Sequence, residues 1–466
     1  MWNSSYVRNL EISGIGILML PAKCDLHFTA LEKQLFDSVG LLGVVLSSQV
    51  MGLLADTYGR IKLLRITLLL SLGTSFLSAL SINTVMLISL RFLTGVFMAG
   101  VQCCMFTYLG EFHSKISRTK HLVFLSALII VSNIYFPAMG LLVLPIDLQL
   151  EYTSYLQFSS WRILLLFNMA FGIVAAVGLF LLPESPKFEL SRGRHEAALH
   201  TLKNMHSMNY GKSSMYLIKS LSMENSVLAD GIDNKSIFHK LFGRMVVLVH
   251  YSHTLKFVFI SFTVNVIGTG IMMWLPEVLV HLISKKDESL SVCETIKLKE
   301  NENSTDICID LAQHNDSQLI LLVYINFFVM AFYAVTCIMV ETINKKTSIV
   351  MFLVAVSATS SLTLYWNKIY YMTIIAMGCI AGAGNLIPVA RAIGNEYFPT
   401  EVNAVAMSLI VMVGRLGSAF GTFLVGNLQF TYCNEMYFVF GGLTIIIGIT
   451  TIFLPKPIKP QTLTAA

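Results

Sequence analysis

The chain is expected to fold as an all-α membrane protein built of two six-helix halves, with the first helix shortened. Three observations lead there: eleven long apolar runs, loop cations that fall mostly on alternate sides of those runs, and a short segment repeated between the halves. Of 466 residues, 55% are hydrophobic and 13% charged, and mean hydropathy is +0.69. A soluble domain carries roughly 25% charged residues. Separate aqueous cores are therefore excluded as the basis of the fold.

The spans are read in order as 38–55, 63–82, 85–107, 122–144, 163–182, 257–280, 318–340, 348–365, 369–390, 404–428 and 436–454. Each approaches or exceeds the ~20 residues that cross a bilayer as helix. A twelfth segment comes first and is defective. Its apolar part runs from Ile12 to Leu20 and meets Pro21, so it reads as the end of a shortened helix. A signal peptide is a poor reading, because Met1 to Leu10 carries only Arg8 and leads straight into further spans.

Orientation follows from the loops. One side collects Arg60, Lys62, Arg65, Lys115, Arg118, Lys120, nine cations from Lys187 to Arg244, Lys345, Lys346, Lys456 and Lys459. The other collects Lys23, Lys33 and Arg162, with Lys285, Lys286, Lys297 and Lys299 in one long segment that counts for less. The middle loop and C-terminus are thus placed inside. The formal charge of +5 is accounted for by this asymmetry and gives no reason to expect nucleic acid as a partner.

Four cysteines, Cys24, Cys293, Cys308 and Cys433, fall on the outer side, and the long outer loop adds glycosylation acceptors at Asn303 and Asn315. Cys293 and Cys308 flank the Asn303 sequon on the oxidising side and are expected to form a disulfide. No Cys/His cluster, P-loop or G-x-S-x-G occurs in the sequence. No metal, cofactor or enzymatic activity is expected.

A composition break divides the chain into a transmembrane half at 1–183, a central inner loop at 184–244, a second half at 245–455 with an outer loop at 281–317, and a tail at 456–466. Within the central loop, Ala198, Leu202 and Met205 stand at helical spacing, which predicts an amphipathic helix over 194–208. Glu111-Phe-His113, followed by an apolar helix, recurs 285 positions later as Glu396-Tyr-Phe398, again after the fourth span of its half. Coincidence in two short turns is the alternative. Duplicated halves related by an axis along the membrane normal enclose a midplane site in one secondary-transporter architecture.

Gly52-Leu-Leu-Ala-Asp56-Thr-Tyr-Gly59-Arg60-Ile-Lys62 joins the second and third spans. It resembles motif A of the major facilitator superfamily. Arg91-Phe-Leu-Thr-Gly95 is similar to the family's arginine-bearing fourth helix, and Leu182-Pro-Glu-Ser-Pro-Lys187 to the turn closing its sixth. Phe398-Pro-Thr-Glu-Val402 and Gly414-Arg415-Leu-Gly417 resemble its organic-ion-transporter branch and the related synaptic-vesicle glycoproteins, and Tyr108-Leu-Gly-Glu-Phe-His113 and Trp274-Leu-Pro-Glu277 resemble the vesicle branch. The resemblance runs over residues 11 to 455. It departs where the second motif-A copy has decayed to Glu341-Thr-Ile-Asn-Lys-Lys346 and where Asn403 stands in place of an arginine.

The resemblance implies the major facilitator fold and alternating-access transport of a small organic solute, organic ions included, with a proton or other ion as the coupling partner. The alternative is a vesicle-glycoprotein-like membrane protein that binds without turnover. Location is expected in the plasma membrane or an intracellular vesicle membrane; oligomeric state is left open. Arg415, near mid-span, needs a substrate, a proton pathway or a fixed polar partner to offset an insertion cost of ~2.5–3.5 kcal/mol. Arg91 is a coupling, gating or packing residue. Gln102, Asn133, Asn265, Trp274 and Asn385 are candidate solute contacts or helix-to-helix hydrogen bonds. Glu11 either attracts a cation or lies among headgroups. Gly52, Asp56, Gly59, Arg60, Glu111, Arg118, Glu184 and Glu396 are expected to latch the inner face.

Overall fold

The computed structural model describes residues 11, 14–26, 28–113, 131–145, 150–153, 156–211, 218, 221, 254–284, 290–300, 304–342, 346–382, 386 and 400–453. Nine helices among these are long and apolar enough to cross a membrane, and two shorter apolar helices accompany them. In chain order the elements are α1 (Ile15–Leu26), α2 (Ala30–Tyr58), α3 (Arg60–Ala79), α4 (Thr84–Glu111) and α5 (Val131–Val143). A small hairpin of β1 (Leu150–Thr153) and β2 (Leu156–Phe158) precedes α6 (Ser160–Phe180), α7 (Pro186–Ser191) and α8 (His195–Tyr210). The rest comprises α9 (Thr254–Ser284), α10 (Val292–Glu300), α11 (Ser304–Thr342), α12 (Lys346–Trp366), α13 (Tyr370–Ala381), α14 (Thr400–Thr431) and α15 (Cys433–Ile452). The hairpin departs from the all-α expectation; it pairs Leu150 with Phe158 in antiparallel register. Helix α8 occupies the predicted amphipathic stretch, with Ala198 and Thr201 buried.

Local chemistry sets the helix starts. Thr29 and Glu32 form a reciprocal cap at α2, and Asn83 accepts from the Met86 amide at 2.8 Å to open α4. Ser291 and Glu294 do the same at α10, and the hydrogen bonds from Ser291 hold the Glu294 carboxyl below the usual range. Such caps contribute about 1 kcal/mol each.

Two sequence expectations are corrected at the N-terminus. The first helix does not stop at Pro21 but runs through it to Leu26, remaining only 12 residues long. Membrane helices tolerate proline where neighbours satisfy the freed backbone groups. Helix α2 begins at Ala30, eight residues before the apolar run. Lys33, assigned to an outer loop, is therefore a buried helical residue with only 5% of its surface exposed.

The chain groups into two compact units. The first comprises Met1–Gly14, Leu42–Phe136 and Val143–Lys235; the second comprises Ile15–Leu41, Pro137–Leu142 and Ser236–Ala466. The core of the first is filled by Leu64, Leu68, Leu72, Met98, Val101 and Leu179, on α3, α4 and α6. The second is centred on Phe257, Val264, Leu353, Ile410 and Ile447. There α9 and α14 pack closely because Gly417 and Gly421 sit against the backbone of Phe262 and Val266, where any β-carbon would collide with a carbonyl oxygen.

The disulfide expectation is also corrected. Cys293 is bonded to Cys433, not Cys308, with Cα atoms 5.5 Å apart. Proximity in sequence suggested Cys308, but α10 packs beside the end of α14, and Cys433 begins the next helix. Non-reducing peptide mapping should recover one linked pair of peptides holding Cys293 and Cys433. Cys433→Ser should lower stability by on the order of 2–4 kcal/mol, read as a lower thermal midpoint.

Candidate functional site

Six of the expected latch residues lie in the first unit. Gly59 turns the chain between α2 and α3 with φ of 105°, a conformation that suits glycine and strains other residues. As the residue that caps α3 it offers no side chain, so the first amides of that helix need another acceptor. Glu184 supplies it, accepting from the Arg60 amide at 3.1 Å, the Ile61 amide at 3.2 Å and the Ser185 amide at 3.0 Å. Arg60 reaches Asp56 at 3.1 Å and Glu111 at 3.3 Å and lies over the Phe188 ring. Gly52 packs on Cys103. The helix-end amides go to Glu184 and not to Asp56, whose carboxylate is mostly exposed and meets Arg60. Arg118 and Glu396 lie outside the described residues.

Arginines close the opposite helix ends. Arg192 donates to the Asp56 and Thr57 carbonyls, Arg65 to those of Leu179 and Leu182, and Arg162 to those of Ala79 and Ser81. Each guanidinium meets carbonyls that a helix C-terminus leaves without partners.

Deeper in the first unit, Glu11 and Arg91 form a buried ion pair at 2.8 Å, and the Ser75 hydroxyl donates to the second Glu11 oxygen at 2.8 Å. Glu11 is thus buried among protein groups, with Arg91 as its cation. Arg91 Nε and one terminal nitrogen remain without hydrogen-bond partners among the described residues. Gln102 leaves its side-chain oxygen buried and without a hydrogen bond, while Asn133 is partly buried on α5. An apolar cavity of about 760 Å³ lies between the end of α4, the turn after α6 and α8; none of the candidate solute contacts line it.

In the second unit, Asn265 donates to the Ser261 carbonyl at 2.7 Å and accepts from Ser418 at 3.1 Å, a helix-to-helix bond joining α9 to α14. Trp274 donates to the Thr422 carbonyl at 2.8 Å and is fully buried. Arg415 is partly buried near the middle of α14 and makes no hydrogen bond or ion pair with another described residue. Asn385 lies outside the described residues, as do Asn303 and the side chains of Asn315 and Cys308.

Sequence reasoning missed a polar cluster in this unit. Lys33 of α2 pairs with Glu277 of α9, both about 5% exposed, and its ammonium lies 4.7 Å from the Trp274 ring centre and 5.2 Å from that of Phe430. His281 Nε2 is 4.0 Å from the same Glu277 oxygen, and Asp37 lies one turn beyond Lys33 on α2. The available signal was the helical spacing of Lys33 and Asp37 together with Glu277 in the Trp274 motif.

A β-carbon at Gly59 would lie 2.5 Å from a Glu184 oxygen, whereas at Gly73 of α3 it would meet nothing. Gly59→Ala should therefore cost about 1–3 kcal/mol, lowering the thermal midpoint, while Gly73→Ala leaves it unchanged or higher. Glu11→Ala strands the buried Arg91 and should cost about 3–5 kcal/mol. Adding Arg91→Met should recover much of that loss in the same melting assay.

A profile of the Major Facilitator Superfamily matches residues 7–290. Synaptic vesicle glycoprotein 2A of Rattus norvegicus is 26% identical over 296 residues, covering 59% of this chain and 40% of that protein. Synaptic vesicle glycoprotein 2B of Mus musculus is 28% identical over 207 residues, covering 43% and 29%. The chain spans about two-fifths of the length of the first of these relatives. Among solved structures, the xylose transporter XylE from E. coli, in a partially occluded inward open conformation, superposes with a TM-score of 0.63 at 13% identity over 98% of both chains. The nucleoside transporter NupG superposes with 0.61 at 11% identity, over 97% of this chain and 99% of that one. At such identities these two structures speak to fold alone.

Proposed function

Because the family profile covers most of its length, the chain belongs to the major facilitator superfamily, a multi-pass membrane transporter fold, and we propose that it carries a small organic solute by alternating access. One observation carries the choice of solute chemistry. Arg415 puts a guanidinium near the middle of a spanning helix with no described protein group to meet it. A charge there needs compensation, and an anionic group on the solute supplies it. Glycines at 414 and 417 keep the helix surface beside it narrow, and both are already filled by α9 on one side. The solute is therefore met on the face that carries the arginine.

The remaining buried charges play supporting parts in this reading. Glu11 and Arg91 form a buried ion pair, and the two Arg91 nitrogens without partners among the described residues are donors that a solute or a moving helix can take up. The network around Glu184 holds the inner ends of α2, α3 and α6 in register, so that these helices move as one body. Asn265 and Trp274 hold α9 to α14 and are packing residues first. No enzymatic step enters the proposal.

A second reading has its own support in the similarity to synaptic vesicle glycoproteins 2A and 2B. In it the chain is a vesicle membrane protein that binds a ligand without turnover. Proteoliposome uptake across a panel of organic anions, cations and sugars, with and without a pH gradient, separates the two. Transport of an anion from the panel is expected. Arg415→Ala should reduce that uptake at least tenfold while abundance and melting temperature stay near wild type, and Arg415→Lys should retain part of it. If no solute in the panel is carried and Arg415→Ala instead lowers abundance, the arginine is structural and the transport reading fails.

A further inference from the structure

Asp37 is the carboxylate of the second unit's polar cluster that takes no part in the Lys33–Glu277 pair. It is fully buried on α2, and neither of its oxygens has a hydrogen-bond partner among the described residues. Its neighbours are charged. Lys33 stands one helical turn before it, and Lys33 and Glu277 both act on it electrostatically. Lys23 of α1, partly buried, acts in turn on Lys33 and Glu277, and His281 of α9 approaches Glu277.

These groups leave Lys33 with two possible partners. It is now committed to Glu277 on α9. Residues four apart on a helix are near enough to pair, so Asp37 is the other candidate. A carboxylate buried without a donor bears an uncompensated desolvation penalty, which a bound proton removes. A metal ion is the weaker alternative, because the Lys33 ammonium already occupies Glu277, and no group of three or more His, Cys, Asp or Glu among the described residues could hold one.

We propose that Asp37 is a coupling-proton site, holding a proton while Lys33 is paired with Glu277 and releasing it when Lys33 turns to pair with Asp37. Before the exchange the cluster holds a Lys33 ammonium, a Glu277 carboxylate and an Asp37 carboxylic acid. Afterwards it holds the same ammonium, two carboxylates and one proton given to water, so charge and atoms balance. The O–H bond of Asp37 breaks, and Glu277, freed of Lys33, is left to solvent and His281. Separation of the first turns of α2 from α9 and loss of the proton become one event. This supplies the coupling ion for the transport reading and rests on it, but it is tested without transport.

The test is infrared difference spectroscopy of the full chain in nanodiscs at neutral pH. Wild type is expected to show a C=O band from a buried protonated carboxyl, and Asp37→Asn to lose it. An absent band, or one that survives in Asp37→Asn, overturns the proposal. Glu277→Gln then frees Lys33 to pair with Asp37, so the band should vanish although Asp37 is present. Adding Lys33→Met to that variant should restore it. A band retained in Glu277→Gln shows a merely buried acid and overturns the exchange. So does a Glu277→Gln protein recovered only as aggregate while the double variant is monodisperse, since Asp37 then cannot take the lysine.

Discussion

A charge or an open helix end carried into the apolar slab has to be met by other protein groups, and the described structure is organised around meeting that demand. Water is absent there, and an unmet backbone group costs several kcal/mol. Glu184 answers three amides at the start of α3, and Arg65, Arg162 and Arg192 answer carbonyls at the ends of α6, α3 and α2. These charged residues thus act as caps for helices other than their own. They fix where each helix stops relative to its neighbours, which apolar packing against lipid-like surfaces would leave loose.

Against that background the unsatisfied groups stand out. Arg415 has no described partner, Arg91 uses one of its nitrogens on Glu11, and Asp37 has no donor among the described residues. Polar residues within spans are costly and tend to mark pathways. The solute and proton roles proposed for Arg415 and Asp37 rest on that cost.

The second unit shows a different device. Lys33 is held by a carboxylate and by two aromatic faces, Trp274 and Phe430. Trp274 is itself pinned to the Thr422 carbonyl, so the platform under the ammonium is rigid while the ammonium can choose between acids. The Cys293–Cys433 bridge ties α10 to the start of α15 in this unit, on the side where cysteines and sequons gather. Lysine suits an exchanging position because its compact charge sits on a flexible stem, unlike the arginines that clamp helix ends in a planar fork.

Hydropathy, cation asymmetry and the Gly52–Lys62 segment were enough to determine fold class, the membrane setting and the turn at Gly59, because spanning length and loop charge are local properties of the chain. Glu11 and Arg91 could be singled out one by one as charges in apolar surroundings, but their pairing over 80 positions could not. Lys33 was misplaced because a helix that starts with polar residues looks like a loop until a neighbour buries it, and only α9 supplies the acid and the ring that make burial possible. Cys433 as the partner of Cys293, and Glu184 as the cap of α3, lie 140 and more than 120 positions away along the chain. Residue type and spacing announce which groups need a partner. Which partner they receive depends on helix packing, a property of distances in space that no local window of sequence contains.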